Sequence, residues 1–409
     1  MDWGKIAQQR LNEIAKCSLP SAGVTRFPFT KEHELAIGVI KGWMEQANLS
    51  VSMDAAGTLI GQTQGSPEAR TFLIGSHQDS VRDGGRYDGI MGIVLGCLAL
   101  EKLKTEGINL PFTVEVLAFA DEEGVRFPTA LMGPRSLAGT FDPKDLDLKD
   151  RDGVSLRNAL AEFGGKPEKL LALKRKSQNI LGYLEVHIEQ GPILENQNSA
   201  LGVVSGICGI ERHEVTFVGE TGHAGTVPMS SRRDALLAAS EFIVAVNHNA
   251  MMQEQVRTTV GSLQLWPDIV NAIPDKVALT LEIRALDDQQ RREVQSKAQN
   301  LISIVSQKYD VSGTIKCTYS QPAVLCDEGL SLSLKAATLN YCSNTLNLPS
   351  GATHDASAMA DLCPIAMLFV RCKEGRSHTP LESVTEEDMA ASINTVADFL
   401  KGFQGQLVR

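Results

Sequence analysis

Apolar and polar positions follow two periods along this chain, and the change between them predicts the elements. Residues 2–50 carry helical spacing, broken by the Pro/Gly segment 20–23. Residues 50–62 alternate at period two around Ala56 and Gly57, as a hairpin or a pair of edge strands does. The apolar run 71–74 predicts a short buried strand, and 89–104 a helix. Small residues stripe that helix at Gly92, Gly96 and Ala99, which would let it lie close against a sheet. A second buried strand is predicted over 112–119, ending in Asp121, Glu122 and Glu123, and a third over 182–189, with His187 near its end. The charged segment 140–180 between them reads as a helical surface excursion.

The character changes near Gly209. Strands at 213–220, 258–265 and 277–285, helices at 230–247 and 288–308, and a strand at 313–319 make an α+β unit of about 115 residues, a usual domain size. The chain then returns to a helix (328–344), a Gly/His/Asp loop (350–355), a strand (365–372), a loop with His378 and a closing helix (386–403). Strands alternating with helices predict an α/β fold with a mostly parallel sheet covered on both faces. The expected domains are 1–209 and 325–409 for the parallel-sheet unit and 210–324 for the insertion. In such sheets ligands sit beyond the carboxyl ends of the strands, where His77 and residues 121–123 fall.

Composition narrows the partners. A chain of 409 residues exceeds one hydrophobic core, in line with two domains. The net charge of -10 speaks against a nucleic-acid partner, which selects a basic face. The polar start has no apolar signal segment, and no apolar run reaches membrane-spanning length. Eight scattered cysteines without a C-x-x-C pair are expected to be buried reduced thiols of a cytoplasmic protein.

The stretch GSHQDSVRDGGRYD, residues 75–88, places His77, Asp79 and Asp88 around a Gly-rich turn. The candidate metal ligands are His77, Asp88, Glu123, His187 and His378. Five N/O ligands with one bridging carboxylate are what a pair of zinc-like ions requires, and the absence of nearby cysteine favours hydrolytic zinc or manganese. Glu122, beside Glu123, is the candidate general base. Taken singly, each has an ordinary reading: a core or surface histidine, a solvated acidic loop, a glycine turn. Together they outweigh it, because three separate segments each end an apolar strand with a potential ligand.

SHQDSVRDGGRYDG resembles the H-x-D-[ST]-V-x-x-G-G-x-x-D-G signature of the co-catalytic zinc amidohydrolases, in the hydantoinase/carbamoylase branch of the aminoacylase/carboxypeptidase superfamily. DEEGVRF, LEVHIEQGPILE, GHAGTVPMSSRRDAL, VNAIP, LEIRALD, SGATHDA and SHTPLESV resemble further motifs of that branch, in its order, from about residue 70 to 385. The resemblance implies two divalent ions, zinc or manganese. One would be held by His77, Asp88 and His187, the other by Asp88, Glu123 and His378. Asp79 would orient His77, and Glu122 would be the base. The insertion would be a lid and dimerisation domain of a homodimer, with His223 reaching the partner's active site to stabilise an oxyanion. Asn271 and Arg284 would bind substrate, the arginine clamping a carboxylate, with Gln190 and His354 as further pocket residues.

The implied activity is hydrolysis of a ureido or carbamoyl C–N bond in allantoate, an N-carbamoyl-L-amino acid or ureidopropionate, with RFP after the DEEG turn inclining the reading to allantoate. The alternatives are a dipeptidase or aminoacylase of the same superfamily and a non-catalytic binding protein on this fold. Thr353, Pro134 and Glu211 depart from the family's Gly, Ser and Gln. They are expected to reshape the pocket rim or lower activity, without touching the ligands.

Overall fold

The computed structural model describes residues 1–65 and 69–403. Its described strands are β1 (Ser50–Met53), β2 (Leu59–Gln62), β3 (Thr71–His77), β4 (Thr113–Phe119), β5 (Ile180–Ile188), β6 (Leu201–Ile207), β7 (Gly209–Val218), β8 (Val256–Thr259), β9 (Leu263–Trp266), β10 (Lys276–Ala285), β11 (Ser312–Gln321), β12 (Val324–Leu325), β13 (Leu346–Ser350) and β14 (Ile365–Val370). The chain forms two compact units. One holds residues 1–205, 326–348 and 352–409; the other holds 206–325 and 349–351.

In the first unit the sheet runs β1-β2-β4-β3-β5-β14-β6, with β13 also paired to β6. The middle four strands are parallel, and β1, β2 and β6 are antiparallel additions. β4 and β5 are buried at every position, as strands covered on both faces must be. The helix Ile90–Thr105 is apolar nearly all round and lies on this sheet. A Cβ at Gly92 would stand 2.3 Å from the Val186 carbonyl oxygen, so only glycine permits that approach. The helices Trp3–Ile14, Lys31–Gln46 and Glu386–Gly402 complete the same core.

Several expectations change. β3 extends to His77, which is therefore its last residue and not a loop residue beyond it. Residues 140–180 hold only one α-helix, Leu156–Glu162, with 3-10 turns. They are no surface excursion: Leu146, Leu156, Leu160 and Leu170 are buried with Phe29 and Phe127 in a small core of their own. β6 and β13 stand where no strand is predicted. The helix from residue 328 stops at Thr338, and the strand expected over 258–265 is two strands, β8 and β9.

The second unit is a five-stranded antiparallel sheet, β11-β7-β10-β8 with β9 also on β10. The helices Ala235–Met251 and Asp288–Tyr309 cover one face, and β10 alternates buried and less buried positions accordingly. All cysteines are free thiols; Cys317 is exposed and Cys326 half-buried, against the expectation that all are buried.

Candidate metal centre

The four parallel strands deliver their carboxyl ends to one place. His77 ends β3, and its register partner Phe119 ends β4 just before residues 121–123. His187 sits one residue from the end of β5, opposite Phe369 of β14, whose following loop carries His378. Asp88 precedes the helix Ile90–Thr105, on the chain leaving β3.

Asp88 is the centre of the cluster. His187 Nε2 lies 3.0 Å and His77 Nε2 3.6 Å from its Oδ1, and His378 Nε2 lies 3.1 Å from its Oδ2. Glu123 Oε1 is 3.7 Å from His378 Nε2. Donor atoms of His77, Asp88 and His187 lie within 4.8 Å of one another, and so do those of Asp88, Glu123 and His378. Asp88 Oδ1 and Glu123 Oε1 are sealed from solvent and meet no aligned hydrogen-bond donor among the described residues. Buried lone pairs without donors, facing imidazole nitrogens, fit divalent cations. Burial works against charge on both His77 and Asp88, but their mutual contacts outweigh it. The carboxyl groups of Asp79 and Asp88 hold His77 well above its usual pKa, and the three histidines hold Asp88 well below its own.

Glu122 joins the same group, with Oε2 3.9 Å from His77 Nε2. Residues 121–123 lie beyond β4, so strand alternation does not set the directions of Glu122 and Glu123. Asp79 does: its Oδ1 accepts from the Glu122 amide at 3.1 Å and its Oδ2 from the Glu123 amide at 3.2 Å. The contact that orients the His77 ring is shorter to the Asp79 carbonyl, 3.0 Å from Nδ1, than to its carboxylate, at 3.6 Å. Burial, reinforced by the carboxylates of Glu123, Asp355 and Asp79 against the pull of His77, raises the Glu122 pKa well above the usual range.

Gln190 donates to Asp88 Oδ2 at 2.9 Å and to Ser377 Oγ at 3.1 Å. His354 is buried edge-on to His187, ring centroids 4.5 Å apart, and burial keeps it neutral. In the second unit His223 is exposed and bridges to Ala272, while the Ala224 amide bonds the Asn271 carbonyl at 2.9 Å, so His223 and Asn271 are neighbours there. Arg284 donates through Nε to Glu282 at 2.7 Å and through Nη1 to the Gly351 carbonyl. These two bonds use two of its five N–H groups, and its Nη2 protons are not committed by either.

Two of the departures are accommodated locally. Pro134 lies in the first turn of the helix Met132–Ala138, where its missing N–H costs no helical bond. Glu211 is buried against Arg291 and accepts from His213 Nε2 at 3.1 Å.

Three residues that support the cluster escape a reading of the sequence. Arg26 is buried and donates to the Gln78 carbonyl at 2.6 Å, holding the loop after His77. Ser377 and Glu382 stand beside Asp88. The signal for these two was the polar run SHTPLES; for Arg26 there was none.

The profile of the family described as Peptidase family M20/M25/M40 matches residues 73–402. The chain is 37% identical to an N-carbamoyl-L-amino acid amidohydrolase of Geobacillus stearothermophilus, over 95% of each chain. It is 38% identical to an allantoate deiminase of Arabidopsis thaliana, over 97% of this chain and 81% of that one. Among solved structures it resembles a hydantoinase/carbamoylase family amidase of Burkholderia multivorans, with TM-score 0.91 and 30% identity over 97% of both chains.

Proposed function

The chain belongs to peptidase family M20/M25/M40, and from that premise we propose that it is a metal-dependent amidohydrolase cleaving the ureido or carbamoyl C–N bond of a carboxylate-bearing substrate. Allantoate and N-carbamoyl-L-amino acids are the substrates its relatives point to. The observation that carries the reading is the convergence of His77, His187, His378 and Glu123 on the Asp88 carboxylate, with Glu122 alongside. The ligand sets are His77–Asp88–His187 and Asp88–Glu123–His378, for zinc or manganese. Divalent cations bound there supply Lewis acidity that polarises the carbonyl and acidifies a water.

The chain's own residues do the rest. Asp79 holds the Glu122 backbone, so the Glu122 carboxylate stays at the cluster's edge. From there it would take a proton from the attacking water and return it to the leaving nitrogen. Gln190 and His354 would face the substrate, and Asn271 and Arg284 would orient it. His223 of a partner subunit would stabilise the oxyanion. The homodimer this requires is supported by an apolar stripe on the helix Ala235–Met251, where Leu237, Val244 and Met251 are exposed at seven-residue spacing. We place the enzyme in the cytoplasm, in keeping with its free thiols.

The test is a panel with added zinc or manganese: allantoate, N-carbamoyl-L-amino acids and ureidopropionate against N-acyl amino acids and dipeptides. Ammonia release from the ureido compounds is expected. Amine release from acyl or peptide substrates alone would make the protein an aminoacylase or dipeptidase, and no turnover at all would leave a binding protein on this fold.

A further inference from the structure

We propose that Glu382 is a positioning residue that fixes Asp88 as the shared carboxylate, and thereby builds the Asp88–Glu123–His378 position; this rests on the two-cation reading above. Glu382 is 4% exposed and touches Asp88 by two routes. Its Oε1 accepts from the amides of Tyr87 at 2.8 Å and Asp88 at 3.0 Å, clamping the backbone that leads into the bridging residue. Its Oε2 accepts from Ser377 Oγ at 3.1 Å, and that hydroxyl lies 2.9 Å from Asp88 Oδ2. Ser377 immediately precedes His378, so one carboxylate ties together the bridging residue and the loop that carries the second site's imidazole.

The hydroxyl makes the arrangement directional. Ser377 has one proton for two carboxylate oxygens. When Asp88 commits its lone pairs to cations, that proton goes to Glu382, and Ser377 Oγ still accepts from Gln190 Nε2 at 3.1 Å. The support for Asp88 is therefore kept when its own oxygens are taken. Gly85 carries an independent mark of the same contact. A Cβ there would stand 2.1 Å from Glu382 Oε1, 2.2 Å from its Cδ and 2.5 Å from its Cβ. A carboxylate held by three hydrogen bonds cannot retreat cheaply, so the second glycine of the Gly84–Gly85 pair is there to admit Glu382.

The experiment measures zinc stoichiometry and affinity by chelator competition on the full chain, for wild type, Glu382→Ala, Glu382→Gln, Gly85→Ala and the Gly85→Ala/Glu382→Ala double variant, with circular dichroism as the folding check. Wild type is expected to take up two zinc ions. Glu382→Ala should keep one and bind the second about 10–100-fold more weakly, the usual effect of losing a partner that supports a ligand. Glu382→Gln keeps an acceptor for both amides and should recover the second ion to within a few-fold. Gly85→Ala should mimic Glu382→Ala and add nothing to it in the double variant. Unchanged binding of both ions by a folded Glu382→Ala protein, or a Glu382→Gln protein as weak as Glu382→Ala, would overturn the inference. If Glu382→Ala does not fold, the Gln and Gly85 variants decide it by the same measure. A wild-type chain that binds fewer than two zinc ions would overturn the two-cation reading beneath it.

Discussion

At the scale of single residues, Glu122 makes the sharpest prediction. Glu122→Gln keeps the shape and the backbone bonds to Asp79 but removes the proton acceptor. It should retain bound metal while turnover falls by about 10²–10⁴-fold, the range for a general base. Steady-state rates set beside metal analysis check this, and an unchanged rate would remove Glu122 from the role. A second prediction concerns Asp54, in the turn between β1 and β2. Its Oδ1 accepts from the Ala56 and Thr58 amides, while Oδ2 is sealed from solvent and meets no aligned hydrogen-bond donor among the described residues. Burial raises its pKa to about 6 despite those bonds. The folded state thus binds the proton more tightly than the unfolded chain. Stability from this group is present below pH about 4 and is lost as pH rises through 6, each pH unit between those two values being worth about 1.4 kcal/mol. Asp54→Asn keeps Oδ1 and has no charge to bury. Its melting temperature relative to wild type should therefore climb between pH 4 and pH 8, and a difference that stays flat with pH would refute the assignment. The proposed ligands were legible as residues because histidines and acids at strand ends stand out in a sequence. Arg26 was not, because a buried arginine looks the same in sequence as an exposed one, and the run SHTPLES marked Glu382 without showing what it holds.

At the scale of elements, the helix Ile90–Thr105 packs closely on β3 and β5, the strands that carry His77 and His187. Gly92 faces the Val186 carbonyl and the Ser76 side chain, and Gly96 faces Ile74. Gly92→Ala forces the helix away from the strands that carry both histidines. Overpacking of this kind costs about 1–3 kcal/mol, readable as a lower denaturation midpoint, and zinc affinity should weaken with it. A variant with wild-type stability would show that the helix has slack. The glycine stripe, the parallel strands and the closing helix were readable from periodicity, since each is buried or amphipathic along its whole length. β6 and β13 were missed for local reasons: β6 is interrupted by Gly202, Ser205 and Gly206, and β13 contains Pro349. Residues 140–180 were misjudged because their few leucines are spaced for short turns that meet only in the folded core.

At the scale of the whole molecule, the proposed homodimer is open to direct test. Val244 is 68% and Met251 78% exposed on the helix Ala235–Met251. Val244→Asp with Met251→Asp should shift the protein from dimer to monomer in sedimentation velocity, and turnover should fall with it if His223 acts across subunits. A dimeric, active double variant would move the interface elsewhere, and a monomeric, active one would remove His223 from the reaction.

The sequence by itself determined which side chains offer nitrogen and oxygen donors and that strand ends present them, because strand, turn and helix signals are local. It also determined the order of the motifs that mark the family. Only the tertiary structure decided which oxygen of Asp88 faces which imidazole, that the Asp79 carboxylate grips the amides of the Glu122–Glu123 pair, and that Glu382 clamps Asp88 from 294 residues away. Contacts across such separations are set by how the layers pack, and no local pattern of residues encodes them.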